Sequence, residues 1–326
     1  MDLRKLPSIL FTIFTIFTIF ILGGCTTGNE QQQEITSDKI KTGSTIFPIH
    51  AIVNEVGGEN IDSVLILPPG SSPHTYEATP NQVKEIQNTD IFFRVGGEVD
   101  QWISNISNTV PEAQTVSLNE FIELKLFGLQ ATNGHDDEHE NGNIDNEHED
   151  EYHEHDDGRY DPHTWLDPDR AGKMAEIVAQ ELGGIDEGNQ NYYQDNAQAF
   201  INNLKAKDEN WQNKLAELDN KNIIVFHDAW GYFSQHFGLN IVASFEPFPG
   251  KSPTSQYIAE LEEEIKKNNV STIFVEPQLS QESVNALASD LDIQVAVLDP
   301  IGGLEERNSY INMIDYNIEN IYQALK

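Results

Sequence analysis

Short apolar runs alternate with helical patterns along most of this chain, and this alternation constrains the fold more than any other feature. In the first half the apolar runs lie at 44–47, 61–67, 90–95 and 114–118, with helical patterns at 48–57, 80–88 and 98–108. In the second half the runs lie at 222–226, 240–245, 271–276 and 293–299, with helical patterns at 228–237, 254–268, 281–290 and 308–325. Strands that alternate with helices form parallel sheets covered by helices. The sequence therefore predicts an α/β protein with two similar lobes, each a parallel sheet of about four strands.

A long amphipathic pattern at 188–218 separates the two series. Its apolar residues recur at steps of three, four and seven, at Tyr193, Ala197, Phe200, Leu204, Trp211, Leu215 and Leu218. This spacing places them on one face of a single helix, which would extend roughly 45 Å over about 30 residues. Two shorter helices are the alternative, but no Pro or Gly in the interior supports a break. We expect one stiff helix to join a lobe at 39–187 to a lobe at 219–326.

The N-terminal residues have the pattern of an export signal. Basic residues at positions 4 and 5 precede an apolar run at 9–22, which is shorter than the roughly 20 residues of a membrane span. The run leads into LGGC, which resembles the lipobox of exported lipoproteins, so we expect a signal peptide at 1–24 and a lipid on Cys25. A chance cysteine after a plain signal peptide is the alternative. The polar residues 25–38 predict a flexible tether to the membrane.

Charge and cysteine content exclude several classes of partner and site. The 326 residues carry a formal net charge of −35, spread over the whole sequence, which argues against nucleic acid or anionic lipid as a partner. The acidity fits attraction of cations or a salty habitat. Cys25 is the only cysteine, so neither an intramolecular disulfide nor a thiolate metal site can form within this chain.

Four metal-ligating side chains lie at or near the carboxyl ends of predicted strands, where parallel sheets place their ligand sites. His74 follows the run at 61–67, His163 lies in the stiff segment DPHTWLDP, and His227 and Asp299 end two buried runs. A single histidine is more often a cap or a core residue than a ligand, so the interpretation depends on the joint pattern. Two positions fall in each half, and three imidazoles with one carboxylate suit tetrahedral Zn(II) in the cleft between the lobes.

Six motifs carry a resemblance to a known family. They are FPIHAIVNEVGG, LPPGSSPHTYEATPNQVKEIQNTDIFFRVG, DPHTWLDP, FHDAWGYFSQHFGL, FVEPQLS and LDPIGG. In order and spacing they resemble the ZnuA/TroA type of metal-binding protein, which serves ABC importers of zinc and manganese. The resemblance runs from about residue 40 to the end. It implies two α/β lobes joined by a long helix, with the metal between them on His74, His163, His227 and Asp299.

The resemblance also bears on the metal and on its fourth ligand. Members that carry manganese usually have a carboxylate at the position of His227, so imidazole there implies zinc, and Mn(II) prefers more oxygen ligands. The affinity of such a site does not by itself exclude Cu or Ni as the bound metal. In some zinc-binding relatives the fourth ligand is water or an acid next to the first histidine. Pro73 precedes His74 here, which favours Asp299 and leaves water open.

The remaining histidines are assigned lesser roles. Glu276 and His50 are expected close to the metal without binding it, and His236 is expected on the surface.

Residues 133–157 hold twelve acids, no lysine or arginine, and five histidines, His135, His139, His148, His153 and His155. This charge density forbids a packed core, so a disordered loop is predicted. The loop is interpreted as a weak accessory zinc collector, with a solvated acidic loop as the alternative.

Three classes of function follow from these residues. The first is capture of Zn(II) outside the cytoplasmic membrane by a monomeric lipoprotein or periplasmic protein, and delivery to an ABC permease. A manganese or other divalent-metal protein of the same family is a variant of it. The second is a metallohydrolase with Asp228 or Glu276 as base, although four protein ligands would close the site and no HExxH motif is present. The third is an adhesin in which metal only stabilises the lobes.

Overall fold

The computed structural model describes residues 39–125, 160–246 and 253–326. In these residues the strands form two four-stranded parallel sheets. The strands of the first sheet are β1 (Ile40–Ser44), β2 (Ile61–Leu65), β3 (Ile91–Arg94) and β4 (Gln114–Ser117). Those of the second are β5 (Asn222–His227), β6 (Asn240–Glu246), β7 (Thr272–Val275) and β8 (Gln294–Val297). The spatial orders are β2-β1-β3-β4 and β6-β5-β7-β8, so both lobes have the same topology.

Helices cover both sheets. They are α1 (Phe47–Gly57), α2 (Pro80–Glu85), α3 (Ile103–Ser107), α4 (Pro168–Ile185), α5 (Gln190–Ala216), α6 (Gly231–Phe237), α7 (Ser255–Lys267), α8 (Glu282–Leu291) and α9 (Tyr310–Leu325). Short 3₁₀ helices at Pro73–Thr75 and Thr164–Leu166 lie beside two of the candidate ligands. The prediction of two α/β lobes with parallel sheets is therefore confirmed. No helix among the described residues has the length and apolar character that a membrane span requires.

The long connecting helix is a single element, α5, of 27 residues. Its apolar stripe is buried, and it packs against helices of both lobes. Asn196 donates to the carbonyl oxygen of Val56 on α1 at 3.0 Å, and the indole of Trp211 donates to Asp315 on α9 at 2.6 Å. Helix α5 therefore contacts both lobes. The alternative of two shorter helices is wrong.

One predicted strand needs correction, and one helix was missed. The first strand lies at Ile40–Ser44 rather than 44–47, because Pro48 at the first turn starts α1 at Phe47. Helix α4 was not predicted, although Asp167 before Pro168 is a helix-start signal and its carboxylate caps the amides of Asp169 and Arg170.

Candidate metal centre

Three histidines from separate segments meet between the two sheets. His74 lies in the 3₁₀ turn beyond β2, His163 directly precedes the 3₁₀ turn before α4, and His227 ends β5. Their ring centroids are 5.3–5.5 Å apart, and Nε2 of His74 lies 3.4 Å from Nε2 of His163. Zn–N bonds of about 2.0–2.1 Å in a tetrahedron separate the ligand nitrogens by about 3.4 Å. One ligand atom from each histidine lies within 4.8 Å of the others, so this spacing suits a single ion.

Buried carboxylates orient two of these imidazoles. Nδ1 of His163 lies 2.7 Å from Oδ1 of Asp161, and Nδ1 of His227 lies 2.6 Å from Oε1 of Glu276. A carboxylate that accepts from Nδ1 fixes the tautomer in which Nε2 carries the lone pair, and it makes the ring a stronger ligand. Nε2 of His227 is buried without a hydrogen-bond partner among the described residues. Glu276 contacts a candidate ligand and is not one of the three grouped side chains, and its role beside the metal stays a prediction.

Burial keeps two of the imidazoles in the form that binds metal. It lowers the pKa of His74 to about 2, with further lowering from His163 and His227, and it holds the pKa of His163 well below its usual range. Burial acts in the same direction on His227, but the charge and hydrogen bond of Glu276 outweigh it and raise the pKa of that ring. Burial also raises the pKa of Asp161 to about 7. Neutral imidazole is the ligating form, so His74 and His163 are ready to bind metal at neutral pH.

A small cavity adjoins the three rings. Its volume is about 10 Å³, and residues of both lobes line it, among them Trp165, Glu276, Gln278 and Ile301. A space of this size holds about one water-sized group. The sequence did not identify Gln278 as a residue of this cavity, although its position two residues after Glu276, beyond the end of β7, could have indicated it.

The structure does not bring Asp299 to the three imidazoles. Its Oδ1 accepts from the Gln278 side chain at 2.6 Å and from the amides of Ile301 and Gly302 at 3.1 and 3.0 Å. Its Oδ2 lies 2.8 Å from a guanidinium nitrogen of Arg307. This fully buried carboxylate is held by Arg307 and Gln278, an arrangement that does not favour Asp299 as the fourth ligand, and that assignment stays a prediction.

His50 and Asp228 lie outside the group of three. Nδ1 of His50 on α1 is 3.0 Å from the hydroxyl of Ser63, and burial lowers its pKa to about 4. His50 does not line the cavity, so the structure does not place it beside the candidate ligands. Asp228 follows His227 directly, and burial raises its pKa, with a further contribution from Asp161. The predicted loop histidines and Cys25 lie outside the described residues.

The prediction of a surface position for His236 is wrong. Its side chain is 9% exposed and lies between carboxylates of α4 and α5. Nε2 is 2.8 Å from Asp208, and Nδ1 is 3.4 Å from Asp167 and 3.9 Å from Asp169. Both ring nitrogens already face carboxylates, and Asp167 also pairs with Arg170. Asp167, Asp169 and His236 form a second group of possible metal ligands. Their contacts show that this group is an ion-pair network that connects α6 to α4 and α5.

The stability that His236 contributes should depend on pH. Burial acts to lower the pKa of His236, but hydrogen bonds to Asp167 and Asp208 outweigh it and raise that pKa to about 9. A pKa above the unfolded value of about 6.5 gives stability that is complete below about pH 6.5 and lost as pH rises through about 9. We expect His236→Gln to lower the melting temperature most near pH 6, still clearly at pH 7, and only slightly near pH 10.

His50→Gln is the matched control, since the lowered pKa of His50 leaves that ring neutral in both states above about pH 7. Its effect on the melting temperature should not change between about pH 7 and pH 10. An effect of His236→Gln that is equally constant over this range would contradict the ion-pair interpretation.

Comparisons with known proteins agree with this fold. Residues 44–324 match the family model described as "Zinc-uptake complex component A periplasmic" (ZnuA). The chain is 26% identical over 298 residues to the zinc-binding lipoprotein AdcA of Streptococcus pneumoniae, covering 90% of this chain and 57% of AdcA. It is 26% identical over 291 residues to the high-affinity zinc uptake system protein ZnuA of Yersinia pestis, covering 87% and 90% of the two chains.

A solved structure shares the fold. The crystal structure of a 138–173 deletion mutant of ZnuA with zinc bound superimposes with a TM-score of 0.73 at 22% identity, covering 89% of this chain and 99% of that one. The chain spans a little over half the length of the AdcA proteins that it matches. Since the family model covers all but the N-terminal part and the last two residues, the chain belongs to the family of zinc-uptake complex component A, the ZnuA family.

Proposed function

We propose that this protein captures Zn(II) in the cleft between its lobes and delivers it to an ABC permease. The observation that carries the proposal is the meeting of His74, His163 and His227, two of them held by buried carboxylates, in a spacing that fits one tetrahedral ion. The zinc named in the descriptions of the relatives supports the same cargo. Zinc here is the transported ligand rather than a resident cofactor.

The donor atoms favour zinc over manganese. Three imidazole nitrogens without a carboxylate among the ligating atoms make a borderline-soft set, whereas Mn(II) prefers carboxylate and water oxygens. Mn(II) or another divalent ion of the same family remains the alternative cargo. Cu(II) binds imidazole sites more tightly than Zn(II), so selection of zinc also depends on which metals reach the protein.

Transport fits the site better than hydrolysis does. A catalytic zinc needs a base that is free to take a proton from its water. Of the two candidate bases, Glu276 is engaged through Oε1 by His227 at 2.6 Å and by the indole of Trp230 at 3.3 Å, and Asp228 does not line the cavity beside the three histidines. We therefore propose that the protein is a solute-binding component and not an enzyme.

The proposed location and partners follow from the N-terminal sequence and the family. We propose export by the signal at 1–24, a lipid on Cys25 and a tether at 25–38 that holds a monomer at the outer face of the membrane, with a periplasmic protein as the alternative. The partner is then the membrane subunit of an ABC permease. A rigid α5 permits only small lobe shifts, so release requires local movement of the segments that carry the three histidines.

The His- and acid-rich segment 133–157 is proposed as an accessory zinc collector. On either side of this segment, the described residues Lys125 and Asp161 are held together, because the amide of Asp161 donates to the carbonyl oxygen of Lys125 at 2.9 Å. The hydroxyl of Tyr232 donates to the carbonyl oxygen of Asp161 at 2.9 Å and accepts from the amide of Lys125 at 2.8 Å. We therefore expect that a short linker in place of the segment leaves the three histidines undisturbed.

Zinc titration and zinc-limited growth test both proposals together. We expect one tight equivalent of zinc in the chain and in a variant lacking 133–157, and additional weak equivalents only in the full chain. A strain that lacks the gene should grow poorly when zinc is chelated, and either form should restore growth. Loss of the tight equivalent on deletion would place the main site in the loop. Normal growth of the strain that lacks the gene, in medium whose zinc is chelated and in a host without another zinc importer, would refute the transport role.

A further inference from the structure

Two of the three candidate ligands are oriented by a carboxylate, and the third is not. Nδ1 of His163 lies 2.7 Å from Asp161, and Nδ1 of His227 lies 2.6 Å from Glu276. Among the described residues, no carboxylate pairs with the ring of His74, whose nearest polar contact is Nε2 of His163 at 3.4 Å. An imidazole that nothing orients loses side-chain entropy when it binds a metal. The direction of His74 therefore depends on how firmly the backbone of its turn is held.

Trp102 contacts this turn on both sides of His74. Its indole Nε1 donates to the carbonyl oxygen of Pro73 at 3.1 Å, directly before the ligand. Its ring lies against that of Tyr76, two residues after the ligand, with centroids 4.6 Å apart and an interplanar angle of 68°. Tilted ring pairs of this kind attract each other, and a partly buried indole N–H needs an acceptor. One side chain thus restricts the backbone that carries His74.

The loop before Trp102 is itself fixed to the first sheet. Asp100, two residues earlier, is fully buried and accepts from the hydroxyl of Thr45 at 2.7 Å and from the amide of Val95 at 2.6 Å. Thr45 directly follows β1, and Val95 directly follows β3. A series of contacts therefore runs from the carboxyl ends of two strands through this loop to the turn of His74.

The segment of His163 has an additional support that the turn of His74 does not share. The indole of Trp165 donates to the carbonyl oxygen of Pro300 in the second lobe at 2.7 Å. Among the described residues, the side-chain hydrogen bonds at the turn of His74 come from the first lobe. Loosening the contacts of Trp102 should therefore loosen His74 without loosening His163.

We propose that Trp102 is a positioning residue for zinc, which holds the turn of His74 so that this imidazole already faces the cavity when the ion arrives. The proposal rests on the proposed function, capture of zinc by the three histidines. Trp102 does not line the cavity, so it acts through His74 and not on the ion. A ligand held in place before binding loses less conformational entropy on binding, which raises affinity and slows dissociation.

Trp102→Phe tests the proposal, because it keeps an aromatic ring beside Tyr76 and removes the N–H that bonds to Pro73. We expect the zinc affinity of the full chain to fall roughly 3- to 10-fold, the effect of losing one hydrogen bond, with faster zinc dissociation. In a His74→Ala background the same substitution should change the affinity less than about twofold, because no imidazole is left to position. Competition with a chelator that outcompetes weak sites measures the tight equivalent.

Trp211→Phe is the matched control. It also removes an indole hydrogen bond, to Asp315 at 2.6 Å, but on α5 and away from the cavity. Its zinc affinity should stay within about twofold of that of the unaltered chain.

Hydrogen exchange in the zinc-free protein gives a second measurement. Residues 72–79 should exchange faster in Trp102→Phe, and residues 160–167 should not. An equal loss of zinc affinity with and without His74 would make Trp102 a residue of general stability, and unchanged affinity and exchange would show that the turn needs no such support; either result would overturn the proposal. If Trp102→Phe does not fold, Tyr76→Leu removes the ring contact and faces the same comparison. Failure of the unaltered chain to bind one zinc tightly would refute the proposed function, whereas the exchange of 72–79 would still show whether Trp102 holds the turn.

Discussion

Replacing His163 by alanine is expected to lower the zinc affinity of the purified protein roughly 100- to 1,000-fold. The change removes one of three protein ligands, and loss of a group that merely orients a ligand already costs about 10- to 100-fold. It also leaves Asp161, a buried carboxylate, without the imidazole that it holds at 2.7 Å. Competition with a chromophoric chelator of known affinity, in the variant lacking 133–157, measures the tight site without the loop histidines.

His50→Ala is the control for this experiment. His50 is also a half-buried histidine of the first lobe with a lowered pKa, but it bonds to Ser63 and does not belong to the group of three. Its removal should change the zinc affinity less than about threefold. Equal zinc affinity in His163→Ala and the unaltered protein would show that the tight site lies elsewhere. A loss in His50→Ala as large as that in His163→Ala would show that the effect is one of general stability.

The positions of the three histidines could be predicted because they follow directly from fold class. Parallel strands bring their carboxyl ends to one edge of a sheet, and His227 ends a strand that the apolar run predicted correctly. His74 and His163 stand in Pro-bounded turns, whose restricted backbone allows little choice of direction. Local pattern and global topology agree at these positions, so a sequence suffices to place them.

The contacts of Asp299 could not be predicted because they depend on competition between partners far apart in sequence. Asp299 also ends a strand region, and by the same reasoning it belongs at the site. Which partner its carboxylate takes is decided by Arg307, in the 3₁₀ turn Glu305–Arg307, and by Gln278 from another loop. No periodicity marks either contact. The prediction of a surface position for His236 was wrong for a similar reason. Its place in a helical pattern does not reveal that three carboxylates, at the start of α4 and on α5, surround its side chain.

Glu276→Gln is expected to lower the zinc affinity about 10- to 100-fold at neutral pH without removing a ligand. The carboxylate lies 2.6 Å from Nδ1 of His227 and raises the pKa of that ring, which means that it makes the imidazole more basic toward protons and toward zinc alike. Glutamine keeps the size and a hydrogen-bonding oxygen but loses the charge. The indole of Trp230, 3.3 Å from Oε1, can still donate to the amide oxygen, so the fold should be preserved.

The pH dependence of this loss distinguishes an electronic effect from a structural one. In the unaltered protein, protons compete with zinc for His227 at acid pH because Glu276 raises its pKa, and in Glu276→Gln that competition is weaker. The deficit in zinc affinity should therefore be largest at alkaline pH, where no proton competes, and should shrink as pH falls. Chelator competition at a series of pH values measures it. A deficit that stays constant with pH, or grows on acidification, would mean that Glu276 acts by holding the shape of the site, and His227 would then owe its ligand strength to burial alone.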